Sequence, residues 1–230
     1  MTMDPDNPII ARCVEGMAAE ADGRDGDARD LFARAWEEAR DDYEACVAAH
    51  YVARHQDTPA DRLRWNAECL ARAERAGAER TAGFLPSLHV NLASAHADLG
   101  DPSTARGHYR RAAGHLDALP PGPYRDWARY AIAEGLRATV PPDAADGPGI
   151  PGAGPAGTAM TALVDALCER RDHVSLALLL PAYVGDLGTD ADRAAITTAL
   201  HMLHASPGLP SADRALVRGA LATGPANAAT

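Results

Sequence analysis

Small and apolar residues recur along this chain at intervals of three and four, the spacing of one helix face, and strict alternation is nowhere sustained. Two triplets stand out. Ala28, Phe32 and Ala35 share their spacing with Ala105, Tyr109 and Ala112: a small residue, an aromatic four positions on, a small residue three further. A turn signal precedes each, Asp22-Gly23 in one case and Leu99-Gly100-Asp101-Pro102 in the other, as a helical hairpin needs. Between them the pattern predicts helices over 42–56 and 59–76, with Thr58 as N-cap and Pro59 in the first turn. There Leu63, Ala67 and Leu70 read as a degraded version of the same triplet, and the surplus residues fall in 77–85. A helix over 124–139 follows the prolines of 120–123 and is expected to cap the array.

Residues 141–157, PPDAADGPGIPGAGPAG, hold too much proline and glycine for helix or strand and read as a linker. Four short helices are expected beyond it, over 158–171, 174–187 with a bend at Pro181, 190–205 capped by Thr189, and 212–222 capped by Ser211. The domain reading is therefore a repeat domain over 1–140, a linker over 141–157 and a small helical domain over 158–230.

The alanine-aromatic-alanine triplets resemble the second helix of the tetratricopeptide repeat, and Ala28 and Ala105 are separated by two of that family's periods of about 34 residues plus an insertion. The first helices match less well: Gly16 and Leu92 agree, while His89 and His96 stand where aromatics are usual. The segment DYEACVAAHYVARHQDTPADRLRWNAECLARAE, with 84–88 and 119–124, is similar to a small bacterial tetratricopeptide-like group of no established activity. Some members carry a methyltransferase label, but no strand-loop-helix with a glycine-rich cofactor loop is written here. The resemblance implies an all-α array of about three repeats with a capping helix, followed by a small helical module.

Composition narrows the chemistry. The hydrophobic fraction is 47% with only 5% aromatic residues, which favours close helix packing through alanine and leucine. All 22 basic residues are arginine, so a lysine Schiff base and a lysine-bearing phosphate loop are excluded. A formal charge of -10 argues against general nucleic-acid binding. Cys13, Cys46, Cys69 and Cys168 form no CxxC pair and are expected as buried reduced thiols. No secretory signal and no membrane span is read, and a cytoplasmic protein is expected.

In a tetratricopeptide array the first helices line a concave groove. The residues expected to face it are Val47, Tyr51, Arg54 and His55 on the second hairpin and Ser87, Val90, Ser94 and Asp98 on the third, with Cys13, Met17 and Glu20 from the first. His50, Trp65 and Asn66 suggest a polar pocket, but His50 falls on the opposite face, where a hydrogen-bonded structural role is expected. His89 and His96, seven apart, are too distant to share an ion and are expected between helices. His201 and His204 are spaced to share one, yet no further ligand sits beside them, so no metal, cofactor or catalytic set is assigned. The expected function is a scaffold that takes a protein or peptide partner in the groove. A small-molecule binder or enzyme is the alternative, and the C-terminal helices are a candidate homodimer contact.

Overall fold

The computed structural model describes residues 6–141 and 154–222. Among these residues the chain forms α-helices, one short 3-10 turn and no strand, so it is an all-α protein. None of the described helices is long and apolar enough to cross a membrane. The chain divides into two compact units, Met1–Ala128 and Arg129–Thr230.

The first unit holds three helical hairpins: α1 (Pro8–Ala21) with α2 (Asp25–Glu38), α3 (Asp42–Arg54) with α4 (Pro59–Ala76), and α6 (Leu85–Asp98) with α7 (Pro102–Gly114). A one-turn helix, α5 (Ala78–Thr81), fills the insertion, and α8 (Pro123–Ala138) begins here and ends in the second unit. The starts of α1, α4 and α7 use one device. Asn7, Thr58 and Asp101 accept backbone N–H groups of the first turn, and a proline follows each cap, where its missing N–H costs nothing.

The turns of the first and third hairpins match bond for bond. Arg24 N donates to Ala19 O at 2.8 Å and Asp101 N to His96 O at 2.9 Å, while Gly23 N to Glu20 O and Gly100 N to Ala97 O are both 2.9 Å. Gly23 and Gly100 adopt φ of 74° and 79°, the left-handed conformation in which a side chain is strained. The repeat detected in the triplets therefore extends to the backbone that joins the helices.

Successive hairpins pack on one another, α1 and α2 against α3, and α4 against α6. Phe32 is fully buried and Tyr109 nearly so, with Ala28, Ala35, Ala105 and Ala112 closed off around them. Helix α4 departs from expectation. Ala67 is exposed and Leu63 and Leu70 are half-covered, whereas Asn66, Cys69 and Ala73 are buried. The pairing with α3 decides this, since Cys69 Sγ sits 3.6 Å from Cys46 Sγ and 3.0 Å from the Cys46 carbonyl, a close approach that a leucine would prevent.

The second unit contains the end of α8, α9 (Gly154–Glu169), α10 (His173–Val184), α11 (Asp190–Ala205) and α12 (Ser211–Ala222). Leu163, Leu167, Leu179, Leu203 and Val217 form its core. Helix α9 begins at Gly154, so the end of the expected linker is helical; residues 142–153 lie outside the described residues. Pro181 lies inside α10 as expected, and Thr189 and Asp192 form a reciprocal capping box at α11. Ser211 opens α12 as its first helical residue rather than preceding it. Buried Asp192 also accepts from Leu187 N at 3.1 Å and pairs with Arg129, which donates to Gly185 O at 2.8 Å.

Candidate functional site

The chemistry of the first unit collects on the last turns of α1 and α3. Gly16 leaves room for the Phe32 ring, whose Cε1 lies 2.3 Å from where a Cβ would be. Tyr51 stacks on Phe32 at 5.0 Å between centroids, and His55 lies 5.4 Å from the same ring. Glu20 bridges two side chains at the end of α3: its Oε1 is 2.7 Å from His55 Nε2 and its Oε2 is 3.1 Å from Arg54. The Arg54 guanidinium lies 5.7 Å from the centre of the Tyr51 ring. Burial pushes the Tyr51 phenol up to about 12, with smaller contributions from Cys13, Glu20 and Tyr124, while Arg54 acts the other way. Burial likewise pushes the Cys13 thiol to about 12, which keeps it protonated and a poor nucleophile.

The predicted groove residues separate into three groups. Tyr51, Arg54 and His55 converge as described, but Tyr51 is buried in the same core as Val47 rather than facing a groove, which leaves exposed Arg54 and half-covered His55 at the surface. Val47 is fully buried in the α1–α2–α3 core, and Ser87 is buried with its hydroxyl donating to Phe84 O at 3.0 Å. These two side chains are taken up by helix packing because α3 and the start of α6 are enclosed on nearly every side. Val90 is half-buried, Ser94 is exposed, and exposed Asp98 pairs with Arg62 of α4 at 2.7 Å. From the first hairpin, Glu20 joins the cluster, Met17 is half-buried and Cys13 is enclosed.

Two residues went unassigned in the sequence reading. Tyr124 and Trp127 on the first turn of α8 stack at 5.8 Å with 18° between their planes, and they are 52% and 53% exposed. The available signal was a pair of aromatics three apart, directly after a proline-rich turn in a chain with few aromatics.

The histidines also resolve. His50 does not turn away from the cluster: its ring meets that of Tyr51 edge-on at 5.2 Å, and its Nδ1 is shut off from solvent without a hydrogen-bond partner, so the expected bond is absent there. Burial, reinforced by Arg54, lowers it to about 4. The Asn66 amide donates to Arg62 O at 2.9 Å while its Oδ1 is left unpaired. His89 and His96 of α6 do lie between helices, interleaved with His108 and His115 of α7: ring centroids are 5.5 Å apart for His96 and His108, 5.3 Å for His89 and His108, and 5.7 Å for His89 and His115. Burial, then His108, His115 and Arg111, lower His89 to about 4; burial, Arg111 and His96 lower His108.

No family model matches the chain, and no curated protein and no solved structure does. The site has to be read from its own geometry.

Cys46 and Cys69 are enclosed together, and Cys69 is held well above the ordinary thiol value by its bond to Cys46 and by burial. Cys168 corrects the expectation of four buried thiols, being exposed on α9. Among the described residues no group of three or more His, Cys, Asp or Glu is placed to hold a metal ion. The cluster around Tyr51 thus offers recognition chemistry, a carboxylate paired with a guanidinium and an imidazole, and the same unit carries the half-exposed pair Tyr124 and Trp127.

Proposed function

We propose that the first unit is a tetratricopeptide-like protein-binding module of the bacterial cytoplasm, taking a peptide segment of a partner across the last turns of α1 and α3 and the start of α8. The observation that carries this reading is the stacked, half-exposed pair Tyr124 and Trp127. Rigid aromatics supply large contact area at low entropic cost, and they are enriched among the residues that dominate interface energy. Solvent-facing aromatics give up their hydration only when a partner covers them. In the same unit, Glu20, Arg54 and His55 present a carboxylate, a guanidinium and an imidazole with which a peptide backbone or a charged side chain can form hydrogen bonds.

The alternative of an enzyme or small-molecule binder gains no observation of its own. The Cys13 thiol is held protonated and is a poor nucleophile.

Panning a displayed peptide library against the full chain tests the proposal. Trp127→Ala and Tyr124→Ala are each expected to weaken the selected peptides by about tenfold or more, the loss of about 1.4 kcal/mol typical of an anchor. Unfolding midpoints should fall much less than for a core aromatic, because about half of each side chain faces water. Selected peptides that bind the double variant as tightly as the wild type would refute this face.

A further inference from the structure

The interleaved histidines of the third hairpin carry an inference separate from the peptide face. His89 Nδ1 and His108 Nδ1 are 3.1 Å apart, and His96 and His115 flank them on either side. With neutral rings, one Nδ1–H donates to the lone pair of the other along the line between them. An ion held at imidazole distances of about 2.0–2.1 Å from two nitrogens this far apart would subtend roughly 98°, between the right angle of octahedral or square-planar sites and the tetrahedral angle.

We propose that His89 and His108 form a two-histidine site for a divalent transition ion of the imidazole-preferring class, such as zinc or nickel, with solvent completing the coordination. The ion replaces the hydrogen bond, and each ring turns its Nδ1 lone pair from the other nitrogen towards the ion. The ring that had donated keeps its charge state by carrying its proton on Nε2 instead, so no proton is released at neutral pH. The site is reachable: His89 is buried, but His108, His96 and His115 are half-covered at the edge of the α6–α7 layer. Few other groups face the pair. Arg111 of α7 acts electrostatically on both rings, and the Asp101 carboxylate lies 3.8 Å from His96 Nδ1. Arg111 opposes a cation, so the site favours ions that gain from nitrogen ligation over calcium or magnesium, which take oxygen. With two protein ligands it is a weak, exchangeable site.

The experiment is a zinc titration of the chelator-stripped full chain, followed by calorimetry and by NMR of the imidazole nitrogens, with nickel as a second probe. One ion per chain is expected, shifting the Nδ1 resonances of His89 and His108. Losing even an outer partner of a metal-bound histidine costs about 10–100-fold in affinity, so His108→Gln, at a half-exposed position that tolerates change, should weaken binding at least that much. Arg111→Ala should tighten it. The double change His201→Ala and His204→Ala on α11 should leave it as it was. Titration without movement of either Nδ1, affinity indifferent to His108→Gln, or binding lost only with His201 and His204 would each overturn the proposal.

Discussion

Replacing Gly16 by alanine tests how the core of the first unit is built. An added Cβ would lie 2.3 Å from Phe32 Cε1, 2.7 Å from Cζ and 2.9 Å from Cδ1, against about 3.5–4.0 Å for carbon atoms in contact. The ring has no easy retreat, since Tyr51 stacks on it and His55 borders it. Overpacking a closed core costs about 1–3 kcal/mol, and alanine in a helix returns about 1 kcal/mol relative to glycine. With the ring hemmed in, the upper end of that cost applies and the net loss is about 2 kcal/mol, or roughly 6–8 °C in melting temperature. Gly107 of α7 is the control. Nothing lies within 4 Å of its would-be Cβ, so Gly107→Ala should raise stability by about 0.5–1 kcal/mol. Trp36 and Trp65 lie on α2 and α4 of the first unit, so in a Trp127→Phe background their fluorescence during urea unfolding reports that unit. In a Phe32→Leu background the same glycine change should cost much less, a coupling read from the double-mutant cycle. A Gly16→Ala protein as stable as wild type, or equal costs in both backgrounds, would refute the packing argument.

Three further outcomes follow from the buried groups. His50 and His89 are both lowered to about 4 from an ordinary 6.5, so the unfolded chain takes up their protons first; stability should hold above pH 6.5 and fall from there towards pH 4, by on the order of 3 kcal/mol per group, and His89→Gln should flatten that fall in urea midpoints measured across the range. A thiol reagent should modify one cysteine rapidly in the native chain, the exposed Cys168, and the enclosed Cys13, Cys46 and Cys69 only on unfolding; fast reaction at two or more sites would contradict the burial. Asp192→Ala removes the acceptor of Leu187 N, of the Thr189 amide and hydroxyl, and of Arg129, and should lower the stability of the second unit by about 3 kcal/mol, seen as accelerated amide exchange in α11.

The all-α class, the hairpin turns and most helix limits were legible in the residues because they are local matters. A proline after Asn7, Thr58 or Asp101, or a glycine at Gly23 or Gly100, acts on its own turn of backbone. The triplets around Phe32 and Tyr109 were legible too, since each helix there has one apolar stripe and a polar remainder. Helix α3 has no such stripe. Its alanines, cysteine and valines are small or apolar on nearly every side, so nothing local separated Val47 and Tyr51, which are enclosed, from Arg54, which reaches the surface. The rotation of a helix about its axis is set by what packs on both flanks. For the same reason only the tertiary structure could bring Glu20 to His55, Cys46 to Cys69, and His108 between His89 and His96: each pair belongs to different helices, and its distance depends on the register of two surfaces rather than on spacing along one.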